Sequence, residues 1–175
     1  MKGNNIILIG MPGCGKSTVG VLLAKTLLKG FCDTDLLIQE REGTELYKII
    51  AEKGTDAFAA IENDVVSTVN ADNCVIATGG SVIFGKEAME NLKSLGTVVY
   101  IKLPLAEIER RVKNIKTRGI VMEPGQSLAG IYEQRTPLYE KYADITVPCK
   151  RAPLEKTVER IVKAIEGYGC TEHIN

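Results

Sequence analysis

A glycine-rich segment near the N-terminus has the residue types and spacing of a phosphate-binding loop. Residues 10–17, GMPGCGKS, match the pattern G-x-x-x-x-G-K-[S/T], directly after a short apolar run and before a segment of helical period. The glycines let backbone N–H groups surround phosphate oxygens, and the following helix adds its positive N-terminal end. Lys16 would reach the β and γ phosphates, and the Ser17 hydroxyl is an oxygen ligand of the kind that Mg²⁺ prefers. A plain turn would explain neither side chain, so the segment predicts a site for ATP and Mg²⁺.

We expect the nucleotide phosphates to contact the end of this loop and the start of the helix. These residues are Gly13, Cys14, Gly15, Lys16, Ser17 and Thr18.

Two carboxylates, Asp33 and Asp35, follow the next apolar segment. On an extended segment this alternate spacing points both side chains to the same side. In open parallel sheets, ligands bind outside the carboxyl ends of strands, where both aspartates would meet the phosphate loop. One carboxylate could support the magnesium shell while the other accepts the proton of an attacking hydroxyl. The alternative is a solvated strand end followed by a helix cap, a position that Asp also favours.

Strand-like and helix-like segments alternate along the rest of the chain. Short runs rich in β-branched residues predict strands at Asn5–Ile9, Gly30–Thr34, Asn73–Ala77, Thr97–Lys102 and Asp144–Pro148. Apolar spacings of three and four predict helices at Lys16–Leu28, Asp56–Val69, Lys86–Leu95, Leu105–Val112, Leu128–Tyr142 and Leu154–Tyr168. This order indicates an α/β fold, a five-stranded parallel sheet with helices on both faces.

The 175 residues contain no repeat, linker or low-complexity tract, so we expect a single domain over residues 1–175. Within it we place an acceptor-binding helical region at about 34–70. Residues 114–127 lack a clean period, and we predict a mobile loop there that acts as a lid.

Composition and charge exclude several classes of partner. The 22 basic and 22 acidic residues balance, so no global field attracts nucleic acid or an anionic membrane surface. No apolar run approaches the roughly 18 residues that span a bilayer. The five cysteines are widely spread without a C-x-x-C pair, which favours reduced thiols. We expect a cytoplasmic monomer that binds neither nucleic acid nor membrane.

Several further motifs strengthen one interpretation. Five segments stand in the order and spacing of shikimate kinases. They are the phosphate loop, Asp33-Thr34-Asp35, Ala77-Thr78-Gly79-Gly80, Arg118 and Gln134-Arg135-Thr136-Pro137-Leu138-Tyr139. The chain resembles that family over nearly its whole length. The resemblance implies a P-loop fold like that of nucleoside monophosphate kinases, with ATP and Mg²⁺. It also implies transfer of the γ-phosphate to a shikimate hydroxyl, giving shikimate 3-phosphate, a step of aromatic amino acid biosynthesis.

The resemblance also implies roles for individual residues. By motif position, Asp35 would hold the acceptor's hydroxyls and serve as base or orienter, and Asp33 would join Ser17 at the metal. Lys16 and Arg118 would stabilise the charge of the transferring phosphoryl group, with Arg118 on the lid. Local chemistry leaves an alternative for Arg118, a solvated loop cation.

Four other positions match the family's ligand contacts. Arg135 matches the arginine that grips the shikimate carboxylate, and Gly79 and Gly80 match a turn whose backbone approaches the acceptor. Arg111 and Arg151 fall where the family packs the adenine. On local grounds Arg135 could instead be a helix-surface charge, the two glycines a plain turn, and Arg111 a surface residue.

The chain departs from the family pattern at the acceptor end. Where the pattern G-x-x-x-F-R-x-x-E has an arginine, this chain has Ala59, and Ser81 replaces a glycine. The arginine belongs to the carboxylate clamp, and losing one such hydrogen bond weakens binding roughly 10- to 150-fold if nothing replaces it. Glu62 has lost its partner at i, i+3 spacing, and we expect an exposed helix carboxylate there. Lys53 and Lys86 are candidate replacement cations.

The lid departs from the pattern as well, because Arg118 is followed by Gly119-Ile120-Val121 rather than proline and leucines. These departures leave two further interpretations open. One is a kinase of the same build for a different small hydroxylated metabolite. The other is a non-catalytic nucleotide-binding module.

Overall fold

Parallel strands form the centre of the molecule. The computed structural model describes residues 3–112, 120–123 and 125–172. In this part of the chain the strands are β1 (Asn5–Ile9), β2 (Gly30–Asp33), β3 (Cys74–Ala77), β4 (Gly96–Lys102) and β5 (Ile145–Pro148). They form one sheet in the order β2-β3-β1-β4-β5, and every neighbouring pair is parallel. The predicted five-stranded parallel sheet is confirmed.

Helices connect the strands. In the described residues they are α1 (Lys16–Leu27), α2 (Thr34–Glu42), α3 (Leu46–Ser67), α4 (Lys86–Leu95), α5 (Leu105–Arg111), α6 (Leu128–Tyr142) and α7 (Leu154–Glu172), with a 3₁₀ turn at Val82–Phe84. The predicted bounds of α4 and α6 match the observed ones, and the end of α1 differs from its prediction by one residue.

The segment after β2 differs from its prediction. The strand ends at Asp33 rather than Thr34, and α2 begins at once, so Asp35 lies in a first helical turn. The Asp33 side chain accepts a hydrogen bond from the Asp35 N–H at 3.0 Å. A carboxylate that satisfies an N–H group at a helix N-terminus is a strong cap, and it explains why the chain turns helical here. The extended geometry predicted for the two aspartates was therefore wrong.

Helix α3 begins ten residues earlier than the predicted helix. A break at Gly54, with φ 83° and ψ 171°, divides it into two pieces. Positive φ costs little only for residues without a Cβ, so the glycine permits the change of direction.

Two separate apolar clusters stabilise these elements. The larger one surrounds the sheet and includes Ile6, Ile7, Leu8 and Ile9 of β1, a strand that is buried along its length. The smaller one, which we call the α2–α3 cluster, consists of Ile38, Ile49, Phe58 and Val65, with Val121 packed against it. No helix in the described part of the chain is long and apolar enough to cross a membrane.

Candidate active site

A cleft of about 360 Å³ lies at the carboxyl ends of β1 and β3, beside the start of α2. It is lined by residues from the phosphate loop, the two helices after β2, the turn after β3, and α6. The described lining residues are Pro12, Gly13, Gly15, Lys16, Ser17, Thr18, Asp35, Leu46, Phe58, Glu62, Thr78, Gly79, Gly80, Ser81, Ile120, Val121 and Arg135.

The phosphate loop forms one end of this cleft. Gly13 and Gly15 have φ of 81° and 98°, which lets successive backbone N–H groups face the same side. Helix α1 begins at Lys16, so its N-terminus points into the same space. This arrangement has the geometry of an anion site.

Lys16 is buried at the base of the loop, with 7% of its surface exposed. Its Nζ donates to the carbonyl oxygens of Gly10 at 2.7 Å and Met11 at 3.1 Å. Ser17 and Thr18, on the first turn of α1, are exposed and line the cleft. A cation and two hydroxyls are thus presented beside the loop N–H groups.

Asp35 lines the cleft from α2. The pKa of Asp35 is raised to about 6, mainly by burial and in part by the nearby charge of Asp33, while Lys16 acts in the opposite sense. A carboxyl group with a pKa near neutrality can accept and release a proton at working pH. Asp33 does not line the cleft within the described residues, because its carboxylate caps α2.

The turn after β3 brings backbone close to these carboxylates. Thr78 anchors it, since its hydroxyl donates to the Leu8 carbonyl of β1 at 2.9 Å. A Cβ built on Gly79 would lie 2.2 Å from Glu62 Oε1 and 3.0 Å from Asp35 Oδ1. Only glycine leaves room for both side chains, which is a closer approach than a plain turn requires.

Arg135 lines the cleft from α6 and is buried, with 2% of its surface exposed. Its Nη2 donates to the Val121 carbonyl, its guanidinium lies 5.6 Å from the Phe84 ring centroid, and its Nε and Nη1 have no hydrogen-bond partner among the described residues. Nearby, the Tyr139 hydroxyl donates to the Gly80 carbonyl at 2.5 Å. A helix-surface charge does not fit this position, because an unpaired buried guanidinium is costly.

Glu62 is buried, with 2% of its surface exposed, so the expected exposed carboxylate was wrong. Its Oε2 accepts from the Ser81 hydroxyl at 2.5 Å, and its Oε1 has no partner in the described part of the chain. The pKa of Glu62 is raised to about 7, mainly by burial; the Ser81 hydrogen bond lowers it, the charge of Asp35 raises it, and Arg135 lowers it. The signal in the sequence was helical spacing, since Phe58, Glu62 and Val66 share one face.

Neither of the arginines expected near the nucleotide base, Arg111 and Arg151, is among the described lining residues of the cleft. Arg111 lies beside the phosphate loop, where its Nη1 donates to the Cys14 carbonyl at 3.3 Å and its Nε to Glu107 at 2.8 Å. Arg151 is exposed between β5 and α7, away from the lining of the cleft. Arg118 lies outside the described residues, as does most of the predicted lid.

The surroundings of Ala59 distinguish the two candidate replacement cations. Ala59 lines a second cavity of about 260 Å³, which shares Glu62 and Ser81 with the cleft and has Lys86 on its wall. Lys53 lies elsewhere and pairs with Glu42 at 2.5 Å. Of the two lysines, the structure therefore places only Lys86 near Ala59.

The donor set near the loop fits Mg²⁺. No group of three or more His, Cys, Asp or Glu side chains forms a metal cage within the described residues. Mg²⁺ at phosphate sites needs only one or two protein oxygens, because phosphate and water supply the rest. The Ser17 hydroxyl and the Asp33 carboxylate, whose second oxygen is not used by the cap, are oxygen donors of that type.

Known proteins are similar to this chain in sequence and in fold. A family model for shikimate kinase matches residues 12–166. The shikimate kinase of Aquifex aeolicus (strain VF5) is 37% identical over 163 residues, covering 93% of this chain and 96% of that protein. The shikimate kinase of Clostridium botulinum (strain Alaska E43 / Type E3) is 34% identical over 163 residues, covering 93% and 97%.

Solved structures agree with these relatives. The structure of shikimate kinase from Acinetobacter baumannii in complex with shikimate has a TM-score of 0.84 and 30% identity, and the alignment covers 94% of each chain. Together with the phosphate loop and the sheet order, these matches define a P-loop kinase with a nucleoside-monophosphate-kinase-like fold. The chain belongs to the shikimate kinase family. It is thus an ATP-dependent phosphotransferase that acts on a hydroxyl group.

Proposed function

We propose that this protein transfers the γ-phosphate of ATP to a hydroxyl of shikimate, giving shikimate 3-phosphate. The observation that carries the proposal is one cleft that is lined by an anion-binding loop, by Asp35 and by a buried, partly unpaired guanidinium. Phosphoryl transfer depends mainly on positioning and on charge stabilisation. The cleft has the groups for both.

At the nucleotide end, the loop N–H groups and Lys16 bind the phosphates, and Ser17 and Thr18 contact them from the first turn of α1. Arg111 packs beside the nucleotide, in keeping with its contact to the loop carbonyl of Cys14. We also assign Arg151 to the adenine side and Arg118 to the lid, on motif position alone. The lid spans about 114–127, and its described residues Ile120 and Val121 line the cleft.

Mg²⁺ is the metal we propose for this site, held by Ser17 and supported by Asp33. When bound, it neutralises charge on the β and γ phosphate oxygens. Asp33 also caps α2, so the same residue would connect the metal shell to the helix that carries Asp35.

Asp35 is the residue we propose as the general base or orienter for the acceptor hydroxyl. It is buried in the cleft, and its raised pKa of about 6 makes it a stronger base than an ordinary Asp while still leaving it mostly ionised at neutral pH. Its neighbour Gly79 brings backbone against the same space, and Gly80 follows it along the cleft.

Arg135 is the acceptor's carboxylate contact in this proposal. Its Nε and Nη1 have no hydrogen-bond partner among the described residues, so this buried guanidinium keeps N–H donors for a carboxylate oxygen. The acceptor is then held at two points, with its hydroxyls at Asp35 and its carboxylate at Arg135. The acceptor-binding region at about 34–70 corresponds to α2 and α3 in this assignment.

A second candidate is a kinase of the same build for another small hydroxylated metabolite. Ala59 and Ser81 favour it, because they remove one cation and add one hydroxyl at the acceptor end. A nucleotide-binding module without catalysis is a weaker candidate, since it has no need of a buried acceptor-side carboxylate such as Asp35. For the protein as a whole we propose a monomer in the cytoplasm, without a nucleic-acid partner.

An acceptor panel distinguishes these candidates. ADP release is measured with shikimate, quinate and other hydroxylated carboxylates, and the product with shikimate is identified by phosphorus NMR. We expect the highest kcat/KM with shikimate and no acceptor-dependent release from Lys16→Ala. A higher kcat/KM with another acceptor would establish the second candidate, and ATP binding without ADP release on any acceptor would favour the binding module.

A further inference from the structure

Glu62 has one carboxylate oxygen in use and one free. The side chain is buried, Oε2 is held by the Ser81 hydroxyl at 2.5 Å, and Oε1 has no partner within the described residues. A buried acceptor without a donor is costly, so a free oxygen facing a cleft indicates a ligand that donates to it. Because Ser81 fixes the other oxygen, the direction of Oε1 is set in advance.

The free oxygen lies next to the proposed base. Glu62 Oε1 and Asp35 Oδ1 are both within 3.0 Å of the point where a Cβ on Gly79 would be built, and both residues line the cleft. A small ring over Gly79 would therefore contact both carboxylates at once. Two adjacent carboxylate oxygens suit two neighbouring hydrogen-bond donors on one ring.

The charged groups at this end of the cleft also indicate a ligand that donates hydrogen bonds. Among the described lining residues, Asp35, Glu62 and Arg135 are the charged groups away from the phosphate loop. Position 59, three residues before Glu62 on α3, is an alanine, so no cation stands there to occupy Oε1. Two carboxylates against one guanidinium favour an acceptor rich in hydroxyl or ammonium groups over one with additional negative charge.

From these observations we propose that Glu62 binds the acceptor directly. Oε1 accepts a hydrogen bond from a hydroxyl or ammonium group on the acceptor ring, next to the hydroxyl that is phosphorylated. The acceptor class is then a ring with one carboxylate, bound by Arg135, and at least two neighbouring donors, bound by Asp35 and Glu62. This proposal rests on the proposed function and adds a specificity-determining residue to it.

The test compares acceptors that differ in one group. The kcat/KM values for shikimate, for each monodeoxy analogue that keeps the reacting hydroxyl, and for the corresponding amino analogues are measured with the wild type and with Glu62→Ala. We expect the wild type to lose roughly 10- to 150-fold on one deoxy analogue, as for a hydrogen bond to a charged group. Glu62→Ala should treat that analogue and shikimate alike. The amino analogue should lose at least as much as shikimate in this variant.

Two further variants make the comparison specific. Glu87→Ala removes a glutamate that lines the second cavity but not the cleft. Its ratio of kcat/KM for shikimate to kcat/KM for the deoxy analogue should equal that of the wild type. Glu62→Gln keeps the size of the side chain and should leave a discrimination of only a few-fold, since a neutral hydrogen bond is weaker. If Glu62→Ala does not fold, this variant decides the test.

Unchanged discrimination in the Glu62 variants would overturn the proposal. Failure of the wild type to phosphorylate shikimate would refute the proposed function instead. The best acceptor of the panel and its monodeoxy analogues then take the place of shikimate, and the same comparison of wild type with Glu62→Ala decides about Glu62.

Discussion

At the scale of single residues, the acceptor end of the cleft depends on buried charges that share very little space. Asp35, Glu62 and Arg135 all line it, and the two carboxyl groups have raised pKa values of about 6 and about 7. Desolvation is the leading cause in both cases. These residues should therefore dominate the response of the reaction to substitution and to pH.

Replacement of Asp35 by Asn should abolish most of the phosphoryl transfer. The amide keeps the shape of the side chain but cannot accept the hydroxyl proton, so we expect kcat to fall roughly 10²- to 10⁴-fold. Acceptor-dependent ADP release measures the effect. Asp56→Asn, on an exposed part of α3, is the matched control and should retain wild-type kcat. An unchanged kcat in Asp35→Asn would mean that this carboxylate is not the base or orienter.

The pH dependence of kcat/KM should show an acid limb. Below its pKa of about 6, Asp35 is protonated and cannot act as a base, so activity should rise with pH and level off above about 7. The groups that face Asp35 are Asp33, Lys16 and Glu62, so the apparent midpoint belongs partly to this set. The residual activity of Asp35→Asn should lack the limb. A flat wild-type profile from pH 5 to 8 would contradict the assignment.

At the scale of elements, the sheet and its crossover helices follow from local pattern, and the acceptor region does not. The strands near the centre of the sheet are continuous apolar runs, the pattern expected for parallel strands that are buried on both faces, so their positions could be predicted. The bounds of α2, which lies in the helical region expected at about 34–70, could not be predicted from apolar spacing, because Leu36, Leu37 and Ile38 form a run without helical spacing and Leu36 is 60% exposed. The sequence signal for the start of α2 was Asp33, which caps the helix. The prediction that Asp33 and Asp35 lie on one extended segment missed this signal.

Site residues were predictable to the extent that a motif fixed their position. The phosphate loop is local, so Lys16 and Ser17 could be placed from the sequence. The burial of Glu62 depends on how α3 packs against the turn after β3, and its partner Ser81 lies 19 residues away. Pairings over that separation depend on tertiary structure, which a single sequence does not show.

The junction of β1 with β4 offers a test of backbone packing at this scale. Gly96 pairs with Asn5, and a Cβ on Gly96 would lie 2.1 Å from the Asn5 carbonyl oxygen. Because that atom is backbone, we expect Gly96→Ala to lower the free energy of unfolding by about 1–3 kcal/mol or more. Urea denaturation measures the change.

An opposite change provides the control for this prediction. A Cβ on Gly167, exposed on α7, would meet nothing within 4 Å, so Gly167→Ala should raise the free energy of unfolding by about 0.5–1 kcal/mol. Equal effects of the two substitutions would contradict the account of the β1–β4 junction.

At the scale of the whole molecule, ligand binding should be visible as stability. ADP with Mg²⁺ at about 100 times its Kd adds about 2.7 kcal/mol, which raises Tm by roughly 5–11 °C for a chain of this size. Removal of Mg²⁺ with EDTA should reduce that shift, because the proposed metal shell at Ser17 and Asp33 would be lost. Lys16→Ala should show little shift in Tm with ADP, whether Mg²⁺ is present or removed. A shift that EDTA leaves unchanged would contradict the proposed metal site.

The α2–α3 cluster is separate from the core around the sheet. It consists of Ile38, Ile49, Phe58 and Val65, which pack on one another and on Val121. Helices α2 and α3 and the described end of the lid therefore share a small apolar core. The chain enters this unit at the capped start of α2 and leaves it at the end of α3. The second half of α3 also packs on α4, and its Val66 belongs to the core around the sheet, so the end of this unit is fixed to the rest of the molecule. Asp35 and Glu62 therefore lie on two helices that share one apolar cluster, and the spacing between the two carboxylates depends on how those helices pack on each other.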